Sequence, residues 1–178
     1  MLFQHYRRGW NNQFVCFDPD KNEWSWPKCY DKAPLARAAH AAARVGNKVF
    51  IYGGRHGQTR MDDLNYLDMD TLRWHNNIAV NSKSPPGRSW HSFTPISDDL
   101  IILYGGFSQH KKPLNDCWMF KVSTLTWIEI ELPFNKPRLW HTATCSPFGE
   151  IIVFGGGKQN ILNYSLKNVS FKDAFFFR

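Results

Sequence analysis

"RSWHSFTPISDDLIILYGG", residues 88–106, is a short strand-like stretch, a polar turn, an apolar run and a Gly-Gly pair. The same order occurs in "RAAHAAARVGNKVFIYGG" from Arg37 and in "RLWHTATCSPFGEIIVFGG" from Arg138, so an R-x-x-H start returns after about fifty residues each time. Between these segments a second pattern recurs: "NQFVCFDPDKNEW" ending at Trp24, "DDLNYLDMDTLRW" at Trp74 and "LNDCWMFKVSTLTW" at Trp127, each reading strand, polar turn, and a strand opening on tryptophan. A fixed period of this length marks a repeat architecture, and together the two halves give four short antiparallel strands per unit. The Gly-Gly suits a place where φ turns positive or backbones approach closely, and the phased Trp24, Trp74 and Trp127 suit packing between adjacent sheets.

Period, Gly-Gly and spaced tryptophan together resemble the kelch repeat, over residues 9–157. The resemblance implies an all-β fold, a partial kelch β-propeller of about three four-stranded antiparallel blades that is not a closed ring. The units are a half blade at 9–27, blades at 35–82 and 86–132, and a half blade at 136–157, followed by a divergent C-terminal tail at 158–178. Three blades leave apolar faces at both ends, and the first repeat starts in mid-blade, so the chain is expected to be a fragment or a truncated isoform.

Within that family the loops are informative. "GGRHGQTR" (53–60), "PPGRSWHSFTP" (85–95) and "KPRLWHTA" (136–143) resemble the second half of the kelch substrate receptors of cullin-RING ubiquitin ligases, which recognise C-terminal degrons ending in glycine. The resemblance implies that Arg55, Arg60 and Ser89 grip a substrate's terminal carboxylate, with Trp90, Leu139 and Trp140 as the neighbouring apolar wall. A carboxylate offers two coplanar oxygens to guanidinium forks, and a hydroxyl satisfies a remaining lone pair. Read from the residues alone, the arginines are equally two solvated loop charges and Ser89 a strand-start hydroxyl bonded to backbone. Trp90 and Trp140 stand where the first blade has Ala39, which favours a lining role over scaffold.

The partners implied are substrate proteins with a C-terminal glycine. Elongin and cullin subunits belong to the full-length family through a C-terminal helical box, but "NVSFKDAFFFR" (168–178) is short, aromatic and β-prone, so this tail is not expected to dock them. The alternative is a kelch propeller that scaffolds protein interactions without ligase activity.

Other classes are disfavoured. The net charge of +7 on 178 residues is scattered, its longest clusters being Arg7-Arg8 and Lys111-Lys112, so no nucleic-acid role is expected. "MLFQHYRRGW" lacks an apolar signal region and no run is long enough to span a membrane, which predicts a cytoplasmic protein, with the nucleus open to it, and little weight for the sequons at Asn163 and Asn168. Cys16, Cys29, Cys117 and Cys145 lack zinc-ligand spacing and read as reduced thiols. His40, His91 and His141 recur in phase and read as structural rather than metal-ligating. With no Ser-His-Asp, Cys-His or copper-ligand arrangement in context, the chain is expected to be neither an enzyme nor a cofactor protein.

Overall fold

A computed structural model describes residues 9–158 and 174–177. In chain order, β1 (Cys16–Asp18) and β2 (Glu23–Ser25) form a two-stranded antiparallel sheet. Strands β3 (Ala41–Val45) and β4 (Lys48–Tyr52) come next, then a small ribbon of β5 (Arg55–His56) and β6 (Thr59–Arg60). With β7 (Leu64–Asp68) and β8 (Arg73–His75) they complete a four-stranded blade in the order β3-β4-β7-β8. The next blade follows the same meander. It consists of β9 (Arg88–Ser89), β10 (Ser92–Pro95), β11 (Leu100–Ser108), β12 (Pro113–Lys121) and β13 (Thr126–Ile130), in the order β10-β11-β12-β13 with β9 on the far half of β11. Last come β14 (Thr142–Cys145), β15 (Ile151–Phe154) and β16 (Ala174–Phe177). The result is all-β, a partial propeller whose sheets do not close into a ring.

The repeat's apolar run is continuous because its strand is covered on both faces. Along β11, Ile101 and Leu103 join one core cluster with Phe50 and Tyr52 of the preceding blade, whereas Ile102 and Tyr104 join another with Ile151 and Val153 of the following sheet. Trp74 and Trp127 are buried as their phase predicts. Trp24 is not: it is 54% exposed, because β1 and β2 form too narrow a sheet to enclose it, and its ring rests on Phe17 with centroids 4.9 Å apart.

A second correction concerns the C-terminal boundary. The last unit does not stop at residue 157 as half a blade, since β16 pairs with β15 in the register Ile151↔Phe177 through Phe154↔Ala174 and adds a third strand. "AFFF" alternates as a strand must, with Phe175 and Phe177 buried and Phe176 exposed. The rest of the tail, residues 159–173 with Asn163 and Asn168, lies outside the described residues.

The R-x-x-H arginines are internal braces. Arg88 makes a two-pronged ion pair with Asp116 (Nη1 to Oδ1 2.7 Å, Nη2 to Oδ2 2.6 Å) and donates to the Gly105 carbonyl at 2.9 Å. Arg37 repeats this with Asp63 and Gly53. Burial by itself would raise the Asp116 carboxyl, but hydrogen bonds from Arg88, its charge and the Trp118 indole hold it below the usual carboxylate range. The main chain joins one blade to the next: Gly54 N–H donates to the Arg88 carbonyl at 2.8 Å, and Gly106 N–H to that of Arg138 at 2.7 Å. At Gly53, with φ of 63°, a Cβ would stand 2.7 Å from the Arg88 oxygen, so the approach admits only glycine. Asp116→Ala strands a fully buried guanidinium, and we expect chemical denaturation to show a loss of about 3–5 kcal/mol.

His91 and His141 occupy the same slot in successive units, both buried. Burial first, and then the charge of Arg138, lowers His141 to about 4, while Nε2 of its ring lies 3.0 Å from Ser92 Oγ. His91 is lowered too, by burial and then by Arg88, His141 and His40. Between about pH 4 and the ordinary value of ~6.5 the native state therefore binds fewer protons than the unfolded chain, so stability is complete above that window and falls as pH drops through it. His141 alone accounts for about 3 kcal/mol of this loss, and a His141→Gln variant should show a visibly flatter pH–stability profile between pH 6.5 and 4.

Candidate functional site

Arg55 and Arg60 face one another across the β5–β6 ribbon. Its two-residue turn opens on Gly57 at φ 58°, the position a type II′ hairpin reserves for glycine, and the register pairs His56 with Thr59 and Arg55 with Arg60. Both main-chain groups of Arg55 are engaged by Ala38, at 2.8 and 3.0 Å. The Arg55–Arg60 pair is therefore the non-hydrogen-bonded kind, in which facing Cα atoms approach to about 4.5 Å and side chains lie closest. Like charges in that relation oppose each other.

Among the described residues neither arginine takes part in an ion pair. Arg55 Nε donates to the Gly57 carbonyl of its own turn at 2.7 Å, while Arg60 Nε is buried with no acceptor. The Arg60 guanidinium lies 4.8 Å from the centroid of the Phe107 ring. Burial, and then the charge of Arg55, lowers the Arg60 pKa from its ordinary value.

Phe107 begins an aromatic row. Trp90 packs 5.9 Å from it and 5.0 Å from Trp140, centroid to centroid. The row is built on the repeat: Ala39, Trp90 and Trp140 share one slot, all with φ between 56° and 59°. Trp90 N–H donates to Ala39 O (2.9 Å) and Trp140 N–H to Trp90 O (3.1 Å), so successive slots are chained along the inner strands. Ser89, paired with Phe107 in the β9–β11 register, is fully buried, and its hydroxyl has no hydrogen-bond partner. Leu139 is fully buried as well, its backbone bridged to Gly157.

Of the six residues singled out from sequence, the structure thus places Arg60 and Trp90 against Phe107, with Arg55 opposite Arg60 and Trp140 beyond Trp90. Ser89 adjoins this group but is sealed, and Leu139 presents no surface to a ligand. Phe107 was legible, since it follows Gly105-Gly106 in the slot where Arg55 follows Gly53-Gly54. Gln109, whose amide bonds to the arginine ribbon, carried no sequence signal. Among the described residues no group of three or more His, Cys, Asp or Glu is placed to hold a metal, and no helix is long and apolar enough to cross a membrane.

Residues 4–177 match the KLHDC2/KLHL20/DRC7 Kelch-repeats domain. The chain belongs to the kelch-repeat family. It is 49% identical to Kelch domain-containing protein 2 of Bos taurus over 87% of its own length, and 46% identical to Kelch domain-containing protein 1 of Mus musculus over 86%. At 28% identity over 82% of its length it also resembles the serine/threonine-protein phosphatase BSL2 of Arabidopsis thaliana, covering 15% of that protein. The chain spans 38% of the length of the two Kelch domain-containing relatives. A kelch-repeat protein-interaction domain is the level of function this kinship carries.

A buried hydroxyl without a partner costs stability, so Ser89 is a burden to this kelch blade rather than a brace. Ser89→Ala should leave the thermal midpoint unchanged or raise it, by up to about 1 kcal/mol of stability. A clear fall in the midpoint would make Ser89 a structural hydrogen-bonding residue instead.

Proposed function

We propose that this chain is the carboxylate-gripping part of a substrate-recognition module of a cullin-RING ubiquitin ligase, and that it binds protein C-termini ending in glycine. The observation that carries the reading is the uncompensated Arg55–Arg60 pair beside the Phe107–Trp90–Trp140 row. Two guanidiniums opposed across a ribbon, with no acid pairing them among the described residues, form a site whose electrostatics improve when an anion enters. A carboxylate suits it best, because its two oxygens accept from both forks, each contact having a gross attraction of about 4 kcal/mol at 4 Å and an effective dielectric of ~20, offset in part by desolvation.

Selectivity for a chain end follows from charge, since an internal peptide carbonyl brings none. Selectivity for glycine follows from shape: without a side chain, the terminal residue lies close against the aromatic row while its carboxylate reaches the arginines. Ser89 supplies a further donor once the entering carboxylate displaces whatever closes off its hydroxyl. The role is recognition, with no chemistry performed on the substrate. Assembly with elongin and cullin subunits belongs to longer members of the family, and the cytoplasm or nucleus is the setting the reading implies.

The test is binding of a fluorescent peptide ending in Gly-Gly to this chain, with a free and with an amidated C-terminus. Arg55→Ala and Arg60→Ala should each weaken the free peptide by about 2–5 kcal/mol, and Ser89→Ala by about 1 kcal/mol. Amidation should mimic the arginine losses, and Arg→Lys at either position should recover only part of the affinity, because charge returns without the fork. Affinity unchanged across the set would replace this reading with that of an interaction scaffold that recognises some other feature.

A further inference from the structure

Gln109 holds the strand that carries Arg60. It stands in the turn between β11 and β12 of the next blade, and its side-chain amide uses both ends on the arginine ribbon: Oε1 accepts from the Arg60 N–H at 2.7 Å, and Nε2 donates to the Gln58 carbonyl at 3.3 Å. These are contacts between residues 49 and 51 positions apart in sequence, so they join two blades.

The ribbon's two strands are anchored differently. β5 is fixed to its own blade, through the paired bonds of Arg55 with Ala38 and through His56 Nδ1, 2.7 Å from the Ala36 carbonyl. Among the described residues β6 itself has no such tie to its own blade, though Met61, next after it, donates to the Gly54 carbonyl at 2.9 Å. Because Arg55 spends both main-chain groups on Ala38, the Arg60 N–H points out of the ribbon, and Gln109 is its acceptor. The Arg60 carbonyl meets Gly87, again of the following segment, where a Cβ would stand 2.3 Å away. Arg60 is thus located by the next blade, the one that also supplies Phe107, Ser89 and Trp90.

Gln109 itself is well placed for this. Its turn is closed by Ser108 N–H to the Lys112 carbonyl at 2.9 Å, Lys111 N–H to the Ser108 carbonyl at 3.1 Å, and Lys112 N–H to Ser108 Oγ at 3.2 Å. Although Gln109 is exposed, an exposed glutamine that spends both amide ends on one ribbon gives up rotamer freedom for a single geometry. Two repelling guanidiniums would otherwise spread the ribbon.

We propose that Gln109 is a positioning residue for the anion clamp, locking β6 to the next blade so that the Arg60 fork stays beside Arg55 and over Phe107. This rests on the carboxylate-binding reading and adds to it that the clamp spans two blades and is set by a residue that need not touch the substrate.

The test uses the full chain with two readouts, amide hydrogen exchange at Arg60 and affinity for the free-carboxylate Gly-Gly peptide. Gln109→Ala should speed exchange at Arg60 at least about tenfold and weaken the peptide about five- to tenfold, as expected for two lost neutral hydrogen bonds, with the thermal midpoint unchanged. Gln109→Met keeps the length and removes both polar groups, and should behave like Gln109→Ala. Unchanged exchange in both variants overturns the clasp. Faster exchange with unaltered affinity, where Arg60→Ala abolishes binding, overturns the positioning role and leaves the function standing. A wild-type chain that binds no such peptide overturns the functional reading and the positioning role together, while the exchange arm still reports whether the clasp exists.

Discussion

One residue slot joins this molecule at two scales. The arginine that opens each R-x-x-H segment braces its own blade with its guanidinium, and the carbonyls of Arg88 and Arg138 also receive the second glycine of the blade before. Arg88 does both, holding Asp116 and Gly105 with its side chain and Gly54 with its backbone. A bidentate pair around a fully buried guanidinium is rigid in direction as well as distance, which fixes where the following slots, Ser89 and Trp90, must lie. The candidate site is built on that placement.

The same economy explains why functional side chains fit among structural ones. Within a unit, the position after the brace and the position after Gly-Gly are paired across the inner strands: Ala38 with Arg55, Ser89 with Phe107, Leu139 with Gly157. The backbone bonds hold whatever the side chains are, so those side chains vary from blade to blade. One blade presents a charge, the next an aromatic ring, the last only a hydrogen. A repeat fold can thus carry an asymmetric site without disturbing its frame.

The site also joins several features that each cost stability. Arg37 and Arg88, both buried, meet carboxylates, and buried Tyr52 meets the Pro85 carbonyl at 2.6 Å. Here two guanidiniums face each other, Arg60 Nε and Ser89 Oγ lack partners, and Trp90 and Trp140 sit at positive φ. Buried polar atoms without a partner and positive φ at non-glycine residues also occur elsewhere, as at His91, Trp127 and Leu72, so what sets this place apart is the facing pair of guanidiniums.

The sequence by itself determined the repeat and the strand order within each blade, because period, Gly-Gly and apolar alternation are local signals that each unit states again, whereas Arg55, Arg60 and Ser89 were pointed to by the family resemblance alone. It misjudged Trp24, whose phase matches Trp74 and Trp127 but whose burial depends on a neighbouring sheet, and it stopped the last unit at residue 157 because β16 carries neither turn nor tryptophan. Only the tertiary structure decided which side chains meet. That the Arg55–Arg60 pair is of the non-hydrogen-bonded kind shows in Ala38 taking Arg55's main-chain bonds; that Ser89 and Leu139 are closed to solvent, and that Gln109 reaches Arg60, follows from how blades abut. Such contacts join residues about fifty positions apart through side chains that no periodic pattern constrains, so chain order alone leaves them open.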